Sequence, residues 1–131
     1  MEIKKFIKSY IVILGLILLL DLIWLGIINK KNWEEQVYEI QLEKLEFRKI
    51  PAIITYLLMA FVIVYLGDLI IDKDIIQVIK YGIIIGLSMY GVYNGTNYTI
   101  FKKYRLSMAI SDVIWGCFLC TILLLLLKKF I

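Results

Sequence analysis

The chain has 131 residues, 62% of them hydrophobic, and a net charge of +4. That share, with a mean hydropathy of +0.86, lies far above the roughly half-apolar mix of soluble domains, so the expectation is one integral membrane domain over residues 1–131, multi-pass and all-α. The absence of histidine removes His-dependent metal sites, Ser-His-Asp triads and imidazole switches. The lysines sit at the ends of apolar runs, where they mark membrane boundaries, and form no basic face of the kind that binds nucleic acid.

The first apolar run, residues 6–28, reads FIKSYIVILGLILLLDLIWLGII. About 20 apolar residues span a bilayer. The run is too long for a signal peptide, and no small-x-small cleavage site follows it, so it is expected to be a retained first helix. Asp21 is its one deep charge, followed by Trp24 and Gly26.

Residues 31–49 form the only long polar stretch. Glu35, Glu39, Glu43 and Glu46 recur at helical spacing, while Trp33, Val37, Ile40 and Phe47 fall on another side. The pattern predicts an amphipathic helix lying on the membrane surface, with Trp33 and Tyr38 as interface residues. A second span follows at about residues 50–71, with Pro51 in its first turn, where the missing N–H is harmless.

The third span is expected at about residues 78–101. One face, about 120° wide, carries Gly82, Gly86, Tyr90, Tyr93, Asn94, Asn97 and Phe101, and the isoleucine side, with Ile84 and Ile85, is expected to meet lipid. Gly82-x-x-x-Gly86 and Gly91-x-x-x-Gly95 are small-residue patterns that permit close helix packing. The fourth span, about residues 106–127, carries a narrow stripe of Ala109, Asp112, Gly116 and Cys120. The connection at 102–105 is short, so spans three and four should be an antiparallel pair. Cys117 and Cys120 are read as small buried apolar residues, because a reactive thiol needs thiolate character and water access. No cofactor fingerprint or metal-ligand cluster is present, so none is expected.

Asp21-Leu22-Ile23-Trp24 in span one is echoed by Asp112-Val113-Ile114-Trp115 in span four, with Gly26 and Gly116 following. Counted along helices, both carboxyls lie roughly 10 Å inside the same membrane face. Asn94, Asn97, Thr55 and Tyr56 fall in that leaflet too. Polar groups in a bilayer are costly and face other helices or a cavity. The expected binding cavity therefore comprises Asp21, Trp24, Tyr90, Tyr93, Asn94, Asn97, Asp112 and Trp115. Gly26, Gly82, Gly86, Gly91, Gly95 and Gly116 are expected to serve helix packing.

These motifs, D-L-I-W-L-G in the first span, Y-x-x-Y-N-x-T-N in the third and S-D-V-I-W-G in the fourth, resemble a family of small four-helix membrane proteins catalogued as domain of unknown function 2177. Asp21, Trp24, Gly26, Thr96, Asn97, Asp112, Trp115 and Gly116 carry the match. Where typical members have a Trp-Pro in the turn after the T-N pair, this chain has Phe101-Lys102-Lys103-Tyr104-Arg105. The resemblance implies a four-helix membrane fold and assigns no catalytic residue.

Three functions compete at this level. The first is a small-molecule or proton-linked carrier whose cavity holds two aspartates. The second is a lipid-modifying enzyme using Asp21 and Asp112 as acid and base. The third is a non-catalytic assembly subunit that docks through its glycine faces. The carrier is preferred, with a homo-oligomer as an option, the lipid bilayer as a partner and the ligand undefined. Basic residues number seven on the side of the termini and eight on the other, so charge does not orient the protein in the membrane.

Overall fold

The computed structural model describes residues 1–130, whose regular elements are all helices. The elements are α1 (Ile3–Ile23), a π-helical turn (Trp24–Ile28), α2 (Lys30–Gln41), α3 (Lys49–Ile70), α4 (Ile75–Ile100) and α5 (Leu106–Phe130). α1 with its π turn, α3, α4 and α5 are each long and apolar enough to cross a membrane. Large apolar side chains such as Leu22, Ile84, Ile114 and Phe118 are exposed on the bundle's outside, as suits a protein solvated by lipid.

Local chemistry sets the helix ends. α4 begins three residues earlier than the hydropathy suggests, because the Asp74 carboxyl accepts from the Gln77 N–H at 2.9 Å as an N-cap. At the end of α3, Lys128 donates to the Ile71 carbonyl at 2.5 Å, a favourable place for a cation. The N-terminal amino group pairs with Asp68 at 3.0 Å. Both ends of the described chain and the 71–74 turn thus lie at one end of the bundle, with α2 and the 101–105 turn at the other.

The polar stretch does not form one helix to residue 49. α2 stops at Gln41, Leu42 takes a left-handed conformation (φ 60°), and the Gln41 amide reaches the Lys44 carbonyl at 3.2 Å. Pro51 keeps α2 and α3 from merging: it has no N–H to offer the Phe47 carbonyl, and its ring would crowd that carbonyl in a continuous helix. The chain must stop and restart, leaving residues 43–48 as a non-helical strap.

The core joins Ile13 and Ile17 of α1, Ala60, Ile63 and Val64 of α3, and Leu119, Leu123 and Leu124 of α5. α4 and α5 pack most closely of all. A Cβ at Gly82 would stand 2.5 Å from Thr121 Cα, one at Gly86 would stand 2.5 Å from Cys117 Cα, and one at Gly116 would enter the Tyr90 ring. Gly67, not singled out by sequence, lets α3 meet Leu124 and Leu127. Gly91 and Gly95 do not pack helices: a Cβ at Gly91 would meet only Leu87 of its own helix, and one at Gly95 nothing within 4 Å. Gly95 lies nine residues beyond Gly86, half a turn round at 100° per residue. Gly26 meets only Leu22 of its own helix. Ile85, expected at lipid, is 8% exposed and joins the core, since it lies next to Gly86 and Gly82 on the side α5 covers.

Candidate functional site

The two echoed motifs meet and bond crosswise. The Trp115 indole N–H donates to Asp21 Oδ1 at 2.9 Å, and the Trp24 indole N–H donates to Asp112 Oδ1 at 3.3 Å. The indoles stack between the carboxyls, with ring centroids 4.9 Å apart and planes 4° from parallel. Within each motif the carboxyl and indole are three residues apart, hence on one helix face. Packing α1 against α5 gives each carboxyl the other helix's indole. Both carboxyls are buried, at 6% and 4% exposure, and buried polar groups require partners.

Asp112 holds the denser half of the network. Asn94, 1% exposed, donates to Asp112 Oδ2 at 2.6 Å and to the Tyr90 carbonyl at 2.9 Å. Its own carbonyl oxygen accepts from the Tyr104 hydroxyl at 2.7 Å. Tyr104 stands in the turn before α5, where burial pushes its phenol up to about 12. The Trp33 ring of α2 meets it edge-on at 6.5 Å.

α2 is fastened to that turn. Gln36 is fully buried; its amide donates to the Lys103 carbonyl at 2.8 Å and accepts from the Arg105 N–H at 2.6 Å. Arg105 pairs with Glu39 at 2.5 Å and Glu35 at 3.5 Å. The guanidinium holds the Glu39 carboxyl below the usual carboxylate range, and Glu39 raises Arg105 in return.

Beneath α2 and the strap lies a cavity of about 450 Å³. Asp21, Trp24, Tyr90, Tyr93 and Asp112 line it. Three other residues of the sequence-derived set do not. Asn94 sits behind Asp112, Trp115 stands behind Asp21, and Asn97 lies beside Tyr93 and Tyr104. Thr55, Tyr56 and Met59 of α3 and Met89 of α4 complete the inner wall, while Trp33, Val37, Leu45 and Phe47 form the cover. Phe47 and Tyr93, both more than half exposed, mark the mouth. Thr55 and Tyr56 were legible by depth. The cover was not, because its placement depends on the buried Gln36, which in sequence looks like any solvated glutamine. Among the described residues, no three His, Cys, Asp or Glu side chains converge as a metal would need.

The π turn positions this assembly. The Asn29 N–H bonds to the Trp24 carbonyl, five residues back, at 2.8 Å, so the helix holds one more residue than an α turn would. That is the extra residue between Trp24 and Gly26 relative to Trp115 and Gly116.

No curated protein and no solved structure is significantly similar to this chain. The model of one family, described as a predicted membrane protein, matches residues 6–126. With that match over nearly the whole length and four helices of membrane-spanning length and apolarity, the chain is a membrane protein belonging to the DUF2177 family.

Proposed function

We propose that the protein is a small-molecule carrier that takes its ligand into the cavity between α1, α3, α4 and α5, with α2 lying at the membrane surface as the cover. One observation carries this reading. A cavity of about 450 Å³, within the size range of ligand pockets, has two carboxyls from two helices in an otherwise apolar and aromatic wall. Ionisable groups kept inside a membrane bundle are the usual mark of a ligand or ion path. The lipid-modifying enzyme is the weaker reading, because Asp112 has both oxygens engaged, by Trp24 and Asn94, and so is poorly placed to move a substrate proton. The assembly subunit is weaker too, since Gly82, Gly86 and Gly116 are spent within the chain. A homo-oligomer is a second reading with its own support: Gly91 and Gly95 form an outward small-residue face that no other helix among the described residues covers.

The test uses a Met89→Cys variant in a Cys117→Ala/Cys120→Ala background, reconstituted in vesicles of one orientation. A carrier presents its cavity to each side in turn, so a membrane-impermeant methanethiosulfonate should label Cys at 89 from outside and, in separate vesicles, from inside. Labelling from one side only rejects the carrier but leaves a binding cavity. Labelling from neither side rejects both.

A further inference from the structure

We propose that the cavity takes an amphipathic organic cation: a weakly hydrated ammonium-, phosphonium- or guanidinium-type charge carried on an aromatic or branched apolar body. This deepens the carrier reading and rests on the same cavity.

Charge is the first argument. Asp21 and Asp112 are in the wall, and no lysine or arginine is among the lining residues. Arg105, in the turn that α2 is fastened to, is occupied by Glu35 and Glu39. An anionic ligand would meet two carboxyls and no countercharge, and in a low-dielectric site that repulsion is severe. A cationic ligand brings the charge the site lacks.

The wall supplies the second argument. Trp24, Trp33, Tyr56, Tyr90 and Tyr93 all line the cavity. Ring faces attract cations through their quadrupole, most strongly when the site is desolvated, and such aromatic enclosures recognise quaternary ammonium groups. The same wall argues against a small inorganic cation. Replacing that ion's hydration shell takes about six oxygen ligands, and beyond the two carboxyls the lining has only hydroxyls to offer, from Thr55 and the tyrosines, among apolar groups such as Met59, Met89, Val37 and Leu45. The methionines suit ligands of varied shape, because an unbranched thioether adapts to irregular surfaces.

Position is the third argument. The carboxyls lie at the inner wall against the stacked indoles, while the mouth at Phe47 and Tyr93 is apolar and exposed. A ligand whose apolar body partitions into the outer part of the bilayer can enter there and bring its charge inward to the aspartates. A strongly hydrated cation would not follow that route.

The experiment compares tetraphenylphosphonium with tetraphenylborate, two ions of nearly equal size and opposite charge, on the full chain in detergent. Binding is read from tryptophan fluorescence, since Trp24 and Trp33 line the cavity and Trp115 stacks on Trp24. The expected result is saturable binding of the phosphonium, about tenfold or more tighter than the borate, and a further loss of about tenfold in Asp21→Asn/Asp112→Asn, the scale of one modest charge interaction. Asparagine keeps the shape and can still accept from the indoles. Size-exclusion profile and thermal midpoint report whether that variant folds. If it does not, Met89→Trp, which fills the cavity, should abolish phosphonium binding instead. Equal binding of both ions, or binding untouched by both variants, overturns the cation assignment while the cavity stands. No binding of either ion, with Cys at 89 also unlabelled, overturns cavity and cation together.

Discussion

Asn94→Ala gives the sharpest measure of how the site is held. The asparagine joins a carboxyl on α5, its own helix backbone and the phenol of the 101–105 turn. Alanine removes all three and leaves Asp112 Oδ2 and the Tyr104 hydroxyl buried without their partner. Interhelical hydrogen bonds in membrane proteins are worth about 0.6 kcal/mol on average and up to about 1.7. Two of them, with no solvent to replace the lost partner, put the cost at roughly 1–3 kcal/mol. The assay is reversible unfolding in mixed micelles followed by tryptophan fluorescence, with Thr99→Ala as the control. Thr99 is exposed and bonds only to the Gly95 carbonyl of its own helix, so its loss should stay within about 0.5 kcal/mol. An Asn94→Ala variant as stable as the control would refute the account of Asn94 as the link between α4, α5 and the turn. A double-mutant cycle with Tyr104→Phe should show coupling, because both residues share one bond.

Gly86→Leu should cost roughly 3 kcal/mol or prevent folding, because no side chain fits against Cys117, whereas Gly95→Ala should move the thermal midpoint little. The Arg105–Glu39 pair makes the docking of α2 pH-dependent. Glu39 titrates lower when folded than its ordinary 4.5, so the pair's contribution is present above that value and fades as pH falls through the lower folded value. The protection of α2 amides, corrected for the intrinsic exchange rate at each pH, should therefore fall in acid, and also in high salt, which screens an exposed pair; unchanged protection in Glu39→Gln would count against the clasp. Tyr104 runs the other way. Its phenol ionises near 12 when folded against an ordinary 10.0, so its share of stability is full below 10 and lost as pH rises toward 12. The absorbance difference between wild type and Tyr104→Phe should then show a phenolate only at that upper end.

Hydropathy located the four spans because each is a run that only lipid can solvate, and glycine spacing exposed the α4–α5 contact through Gly82 and Gly86. Depth counting brought Asp21 and Asp112 to one level of the bundle, where their motifs do meet. Their crosswise bonds to Trp115 and Trp24 were beyond it, since a one-dimensional pattern shows which face a side chain shares and not which neighbour that face meets. Gly91-x-x-x-Gly95 misled for the same reason: the pattern permits close packing without saying that a helix is there. The buried Gln36 and Tyr104 depend on contacts between α2 and a turn 67 residues away in the chain, and nothing local distinguishes them from solvated residues. The break at Leu42 had no local signal either, because Pro51 bars a helix that runs on into α3 and leaves one ending at residue 49 possible.

The five-residue turn at Trp24–Ile28 has a consequence for phase. In a regular α-helix an added residue would swing the chain beyond it by about 100°; the wide turn takes that residue up and spares α2 the swing. Deleting Leu25 would make the first motif match the second, Asp-x-x-Trp-Gly, and let α1 run on as regular α-helix. Asn29 and all that follows would keep nearly their bearing, because the wide turn holds the extra residue within one turn, so Gln36 should still reach the Lys103 carbonyl and Trp33 still meet Tyr104. The two motifs can be alike in their chemistry only up to the tryptophan. Beyond it, one continues as a regular rod across the bilayer and the other widens for a turn, so that a single residue is added without moving α2.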